Sequence, residues 1–370
     1  SNWALVRAIL TGYVPVAEAL RARNRVYKAV SPSQPAPFES SSLNSNNTDT
    51  EVKVSVLIPT LSRQQYLRKL LGQLRDQTIR PFQVIVIDQT PIEERDTDLP
   101  SDFSDLPLSV LYQDRAGQCS SRNAGLREVG GDYVLFIDDD DEVSPDLIEL
   151  HLRSLEHFRA DVSCGVAEEA GAGRLPEAFT FARASDVFPT NNSLVRKEAL
   201  EKSGLFDLAY DRGQRADHDL GMRIYLSGAL LVLNPEISVF HHHAPAGGLR
   251  THKARVMTYA GSRQKLAARH LPSVSEFYLT LRYFTRRQAR EMMWLQTFGT
   301  FSVRGSKARK LLKLAAGLLY LPDTSMQCRK KRRQALSMME TFPQIPKLPQ
   351  RDGDRAIPQE KEAERVVLAV

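Results

Sequence analysis

The chain has 370 residues, with 50 Lys and Arg against 44 Asp and Glu, a formal net charge of +6 and 42% hydrophobic residues. At roughly 150 residues per domain this length suggests two domains, or one large domain with appendages. The composition excludes a wholly disordered chain, and no apolar run approaches the ~20 residues that a membrane-spanning helix needs. Cys119, Cys164 and Cys328 lie far apart without CxxC spacing, which argues against a disulfide framework or thiolate zinc site and fits a reducing, cytoplasmic compartment.

Residues 1–30 read as an N-terminal amphipathic helical segment, with Trp3, Val6, Leu10 and Val14 at helical spacing. They lack a basic stretch followed by an apolar core, so no secretory signal is expected. Residues 31–50, rich in Ser, Pro and Asn, read as a flexible linker. At Val54–Ile58 the texture becomes that of a buried strand ending at Pro59. Ser62 and Gln65 have capping-box spacing, ahead of a helical stripe at Leu67, Leu70, Leu71 and Leu74. Strands are expected over 82–87, 108–112 and 132–137, with a helix over 119–129. Ser144 and Pro145, as N-cap and first helical residue, open another helix through about Phe158. This alternation predicts an α/β fold with a mostly parallel sheet.

The most informative stretch is Phe136-Ile-Asp-Asp-Asp-Asp-Glu142, a row of carboxylates directly after a hydrophobic strand. Like charges this close repel unless a cation compensates them. A divalent ion with oxygen ligands would do so, Mg²⁺ taking one or two carboxylates plus substrate phosphates. The bland alternative is a solvated acidic turn. Upstream, Gly117 and the small residues after it enter a helix whose N-terminus favours anions, and Arg122 can address a phosphate or fix the acidic loop. This is neither a P-loop nor a dinucleotide fingerprint. Asp217 and Asp219 precede a helix, where either could serve as a general base or merely complement the helix dipole. Among His241-His-His243, the first and third share one face of an extended chain and form the pair suited to one ion.

Residues 263–333 hold 17 Lys and Arg against 3 Asp and Glu, a local balance of +14 that leaves −8 for the remainder. A basic helical extension is expected over 256–342, with a disordered tail over 343–370. Its amphipathic stretch around Leu311–Leu321, followed by Arg329-Lys-Lys-Arg-Arg333, suits either an anionic membrane surface or packing on the main body.

Taken in order, VSVLIPT (54–60), VIVID (84–88), GQCSSRNAGL (117–126), GDYVLFIDDDD (131–141), NNSLVRKEAL (191–200), ADHDLGMR (216–223) and the His cluster resemble the family 2 glycosyltransferases, inverting enzymes of the GT-A fold. The resemblance covers about residues 52–250. It implies a Rossmann-like, mostly parallel sheet flanked by helices, with a catalytic domain over 51–255. The implied activity is metal-dependent transfer of a sugar from a nucleotide-sugar donor to a hydroxyl of a glycan or lipid-linked acceptor. Donor-binding residues implied by it are Pro59, Thr60, Arg63, Asp88, Gly117, Arg122, Asn123, Asp138 and Asp139. It further implies a Mg²⁺ or Mn²⁺ site at Asp138, Asp140, His241 and His243, and Asp217 as general base with Asp219 as its alternative. Ala216 departs from the family's usual Glu. The basic extension makes an anionic membrane surface one expected partner, alongside packing on the body, while the lack of a nucleic-acid motif and the acidic body argue against nucleic acid. The expected location is cytoplasmic, with peripheral attachment to the inner face of the cell membrane as one option. A nucleotidyltransferase and a catalytically inactive GT-A scaffold are the competing readings.

Overall fold

The computed structural model describes residues 52–169, 175, 179–185, 188–244, 246–249, 271–291 and 306–348, all within the unit Glu51–Val370. The helical segment at 1–30, the linker at 31–50 and the tail beyond 348 lie outside the described residues.

Strand β1 (Val54–Thr60) is buried throughout except at Pro59. Its residues alternate between two apolar layers: Val54, Val56 and Ile58 in one, Leu57 in the other. A strand covered on both faces needs apolar residues at every position, which is why it reads as a continuous hydrophobic run. Helix α1 (Gln64–Arg75) covers the first face with Leu67, Leu70, Leu71 and Leu74. Each buried leucine contributes roughly 1.5–3 kcal/mol. The chain continues through β2 (Gln83–Asp88), the single turn α2 (Leu99–Asp102), β3 (Leu108–Tyr112), α3 (Gln118–Arg127) and β4 (Tyr133–Ile137). Helix α3 lies on the opposite face, and Gly125 lets it settle there. A Cβ at this position would come within 2.7 Å of Ile87 and 2.9 Å of Leu57.

Next come β5 (Asp141–Glu142), α4 (Leu147–Phe158), β6 (Val162–Glu169), β7 (Arg183–Ala184), β8 (Asn192–Arg196), α5 (Lys197–Ser203), α6 (Ala216–Leu226) and β9 (Leu231–His241). The sheet order is β3-β2-β1-β4-β8-β6-β9-β5, with β7 on β9. Strands β1 to β4 are parallel, β8 runs antiparallel to both β4 and β6, and β9 is parallel to β6. From β1 the chain first winds outward to β2 and β3, then returns to place β4 on β1's other side. Such a reversal opens a crevice at the carboxyl ends of the strands. Thr60 pairs with Asp88 and Leu57 with Phe136, so Thr60, Asp88 and the residues after Ile137 share that edge.

Helices α7 (Val274–Tyr283), α8 (Lys307–Leu319) and α9 (Leu321–Thr341) follow. Phe277 and Tyr278 of α7 and Cys328 and Ala335 of α9 enter the same buried cluster as Leu220 and Ile224 of α6.

Both helix starts expected from serine spacing are corrected. The N-cap of α1 is Arg63, and Ser62 sits outside the helix at φ +53° with its hydroxyl on Glu94. Helix α4 begins at Leu147 with Asp146 as N-cap, two residues beyond the expected start. Ser144 contributes only its carbonyl, to the Leu147 N–H. An N-cap requires extended backbone at the serine, which spacing alone does not report.

Candidate active site

The aspartate row follows β4 at the crevice, and the protein supplies its counter-charges. Arg122, from α3, places Nη2 2.7 Å from Asp138 Oδ1. Arg63, at the start of α1, places Nη1 2.9 Å from Asp139 Oδ1 and 3.0 Å from Asp140 Oδ1. His241, at the end of β9, has Nδ1 2.7 Å from Asp141 Oδ1. Arg122, Arg63 and His241 thus supply part of the compensation that the sequence assigns to a divalent ion. The Thr60 hydroxyl donates to Asp139 Oδ2 at 2.7 Å, tying β1 to β4 across the reversal. Burial pushes the Asp139 carboxyl up against the opposing field of Arg63. Burial likewise raises Asp141, opposed by its bond from His241. Burial works against a charge on His241, but Asp141, Asp140 and Asp138 together outweigh it and hold the imidazole above its usual range.

The crevice forms a cleft of about 160 Å³. It brings together the expected Pro59, Thr60, Arg63, Arg122, Asp138 and Asp139. Gln89, Gln118, Ser121, Gly248 and Leu249 also line it, none of them expected. The turn at Gly247 and Gly248 closes over Arg63: both glycines have φ near +70°, Gly248 N–H donates to Leu61 O at 2.8 Å, and Arg63 Nε reaches Ala246 O at 3.3 Å. At φ +69° Gly248 holds a backbone conformation that favours glycine, and a Cβ there would crowd Arg63 Nη2 at 2.5 Å.

Other expected donor residues lie behind the cleft. Asp88 is buried and accepts from Thr90 N–H at 2.9 Å. Asn123 is engaged by the Phe206 backbone on both sides, donating from Nδ2 and accepting at Oδ1, each at 2.8 Å. That spends its amide on locking α3 to the Phe206 segment, not on a ligand. Nor is the α3 N-terminus open to a phosphate. Asp211 already supplies the anion, its Oδ1 accepting from Cys119 N–H at 2.8 Å and Ser120 N–H at 2.7 Å. Gly117 is needed because a Cβ there would sit 2.1 Å from Asp211 Oδ2. Asp211 lies too far along the chain for any local pattern to reveal it as this partner.

The two base candidates separate sharply. Asp219 is fully buried and saturated, with Arg223 Nε at 3.0 Å and the Tyr283 hydroxyl at 2.6 Å. Asp217, in the first turn of α6, is 38% exposed on its side chain. Burial would raise it, but the His218 ring and Arg215 prevail and hold its carboxyl below the usual range. The loop leading into α6 is tied to the cleft by Gln118, whose amide donates to the carbonyls of Tyr210 (2.6 Å) and Gly213.

The residues present fit a hard divalent ion in a limited sense. Asp140 Oδ1 is buried without a hydrogen-bond partner, apart from its charge contact with Arg63 and His241 Nδ1 at 3.7 Å. No three Asp, Glu, His or Cys side chains converge on one ion among the described residues. Carboxylate oxygens completed by donor phosphates suffice for Mg²⁺. His243 does not join His241: the rings lie edge to face 4.4 Å apart, and His243 Nε2 turns to Glu169 at 3.2 Å.

A sheet reversed at β1, helices on both faces and an acidic row at the reversal define a GT-A fold. The solved GalNAc-T7 complex with UDP, GalNAc and Mn²⁺ aligns with 81% of this chain and 60% of its own at a TM-score of 0.50 and 12% identity, a likeness of fold. Residues 55–202 match the family described as Glycosyl transferase family 2. Among curated relatives, glycosyltransferase GlyA of Streptococcus pneumoniae is 30% identical over 30% of this chain and 16% of its own length. The uncharacterized glycosyltransferase YwdF of Bacillus subtilis is 28% identical over 42% of this chain and 62% of its own. The chain thus spans less than two thirds of either relative.

Proposed function

We propose that the chain is an inverting glycosyltransferase, dependent on Mg²⁺ or Mn²⁺, that moves a sugar from a nucleotide-sugar donor to a hydroxyl of a glycan or lipid-linked acceptor. The observation that carries this reading is the cleft at the β1–β4 reversal, where Arg122 and Arg63 meet Asp138 and Asp139 within the segment that matches the family 2 model. Pro59, Thr60 and the Asp88 turn would seat the base, and the two arginines would face the diphosphate. Asp138 and Asp140 would hold the divalent ion, which when bound supplies Lewis-acid stabilisation of the departing nucleoside diphosphate. Asp217 Oδ1 lies 3.0 Å from His218 Nδ1, and Oδ2 would take the proton of the acceptor hydroxyl as that oxygen attacks the anomeric carbon from the face opposite the leaving group. A carboxylate held below its usual range stays ionised, and so able to accept a proton, throughout the physiological span.

The acceptor side of the proposal includes a membrane surface. No helix among the described residues is long and apolar enough to cross a membrane. Leu311, Leu312, Leu318 and Leu319 of α8 are nonetheless exposed, in the helix that precedes the basic run of α9 in the chain. Peripheral attachment to the inner face of a cell membrane would bring a lipid-linked acceptor to the cleft.

A panel of UDP-, GDP- and dTDP-sugars with Mn²⁺ or Mg²⁺, read as nucleoside diphosphate release and thermal shift, tests the reading. Asp217→Asn is expected to lower transfer by about 10²–10⁴-fold with donor binding kept, the usual span of a general-base contribution. Near-normal turnover in that variant would remove Asp217 from the role. Neither turnover nor a nucleotide-dependent shift across the panel would favour an inactive scaffold.

A further inference from the structure

Helix α7 reaches the base through a continuous run of polar side chains. Glu276 occupies the third helical position of α7, where Oε2 accepts from Ser273 N–H at 2.8 Å and completes a capping box. Its other oxygen, Oε1, accepts from Arg215 Nη2 at 2.6 Å. Arg215 Nη1 lies 3.0 Å from His218 Nε2. The far ring nitrogen, His218 Nδ1, lies 3.0 Å from Asp217 Oδ1, angled off a linear bond.

A guanidinium can only donate, so His218 Nε2 must accept, and its proton then resides on Nδ1, the nitrogen 3.0 Å from Asp217 Oδ1 though not in line with it. The run is held in place at both ends. Arg215, the N-cap of α6, adopts φ +82°, a left-handed conformation that a side chain other than glycine takes only when its surroundings dictate it. Helix α7 is tied to α6 by Tyr283 on Asp219, and to the segment before α6 by Tyr278 on Asp207 at 2.8 Å.

We propose that Glu276 and Arg215 are positioning residues for the glycosyl-transfer step: together they fix the His218 tautomer whose Nδ1 proton lies beside the Asp217 carboxylate. In this arrangement α7 is part of the catalytic machinery. The inference rests on the reading of Asp217 as base, and it names what sets the tautomer of that residue's neighbour.

Glu276→Gln separates the roles, because glutamine at the third position still completes a capping box while losing the charge that holds Arg215. The fold should survive, with melting temperature and affinity for the nucleoside diphosphate plus Mn²⁺ unchanged. The kcat for the activated sugar selected by the panel should fall about tenfold or more, the scale on which supporting groups act through the residue they orient. Arg215→Gln should fall equally, and the double variant no further, since residues acting as one unit are non-additive. Nitrogen NMR of labelled histidine gives a readout independent of turnover: His218 should be neutral with its proton on Nδ1, and Glu276→Gln should shift it toward the other tautomer. An unchanged kcat in Glu276→Gln overturns the proposal, as does a loss tracking weaker nucleotide binding and a lower melting temperature. So does a His218 found protonated on Nε2 in the wild type. Full activity in Asp217→Asn, by contrast, would refute the base reading itself.

Discussion

Three cations meet the four aspartates after Ile137: Arg122 for Asp138, Arg63 for both Asp139 and Asp140, His241 for Asp141. Two like charges about 4 Å apart repel by about 4 kcal/mol at an effective dielectric near 20, so unshielded neighbours would strain the loop. Cations at contact distance offset this, and the buried pairs matter far more than the exposed Lys69–Glu142 pair, where solvent screens the interaction. His151 shows the reverse case, a titratable group kept neutral. It is wholly buried, Nε2 donating to Asn192 Oδ1 at 2.8 Å and Nδ1 accepting from the Ser163 hydroxyl at 2.9 Å. Burial pushes its pKa down from 6.5 to about 4, with the Asn192 bond opposing. As the pH falls below 6.5 the unfolded chain takes up this proton before the folded one, so stability is full above 6.5 and declines toward pH 4. The loss amounts to about 3 kcal/mol for a shift of this size. Urea titrations from pH 7 to pH 4 should show wild type losing that much more than His151→Gln. Parallel curves would mean that His151 protonates freely in the fold.

At the scale of elements, α3 is the hinge of the site, since its first turn lines the cleft while its N-terminal amides are claimed by Asp211. Asp211→Ala should bare those amides and lower stability by about 1–2 kcal/mol, as for loss of an N-cap. Asp211→Asn, which keeps one acceptor, should lose less. A denaturation midpoint unmoved in Asp211→Ala would show that water replaces the cap. This cap also marks where sequence reading stops. Strands β1, β2 and β4 were legible because burial on both faces writes itself as an unbroken apolar run, and α1 because its leucines recur with the helical period. The acidic row and Arg122 were legible from their position at a strand end and a helix start. What periodicity does not carry is which distant side chain fills a polar gap. Asp211 reaches α3 from across the chain, Glu276 reaches Arg215 from another helix, and Asn123 spends both amide atoms on Phe206. Asp219 looked equivalent to Asp217 for the same reason, until Arg223 and Tyr283 were seen to enclose it.

Across the whole molecule, charge and apolar exposure are segregated. Helix α9 turns Thr324, Cys328 and Ala335 inward, while Arg329, Lys330, Arg332 and Arg333 stay exposed, with Met326 65% exposed among them. No acidic residue lies between Asp323 and Glu340. On α8, Leu311, Leu312, Leu318 and Leu319 occupy one helical stripe and are 56–81% exposed. An amphipathic helix whose apolar stripe faces outward, followed in the chain by a helix carrying a run of exposed cations, matches the boundary of an anionic bilayer, where aliphatic chains enter the acyl region and cations meet headgroups. A soluble polyanion such as nucleic acid would satisfy the cations but leave the leucines in water. Vesicles with a substantial phosphatidylserine fraction should therefore co-sediment the protein at low salt, and neutral vesicles should not. At about 1 kcal/mol per basic residue near the surface, the triple change Arg329→Glu, Lys330→Glu and Arg333→Glu should weaken binding by more than 10²-fold. Leu318→Asp with Leu319→Asp should weaken it while leaving any binding to single-stranded oligonucleotide intact. Binding that ignores the leucine changes, or that oligonucleotide displaces fully, would mark the surface as a general polyanion site and leave a lipid-linked acceptor without its anchor.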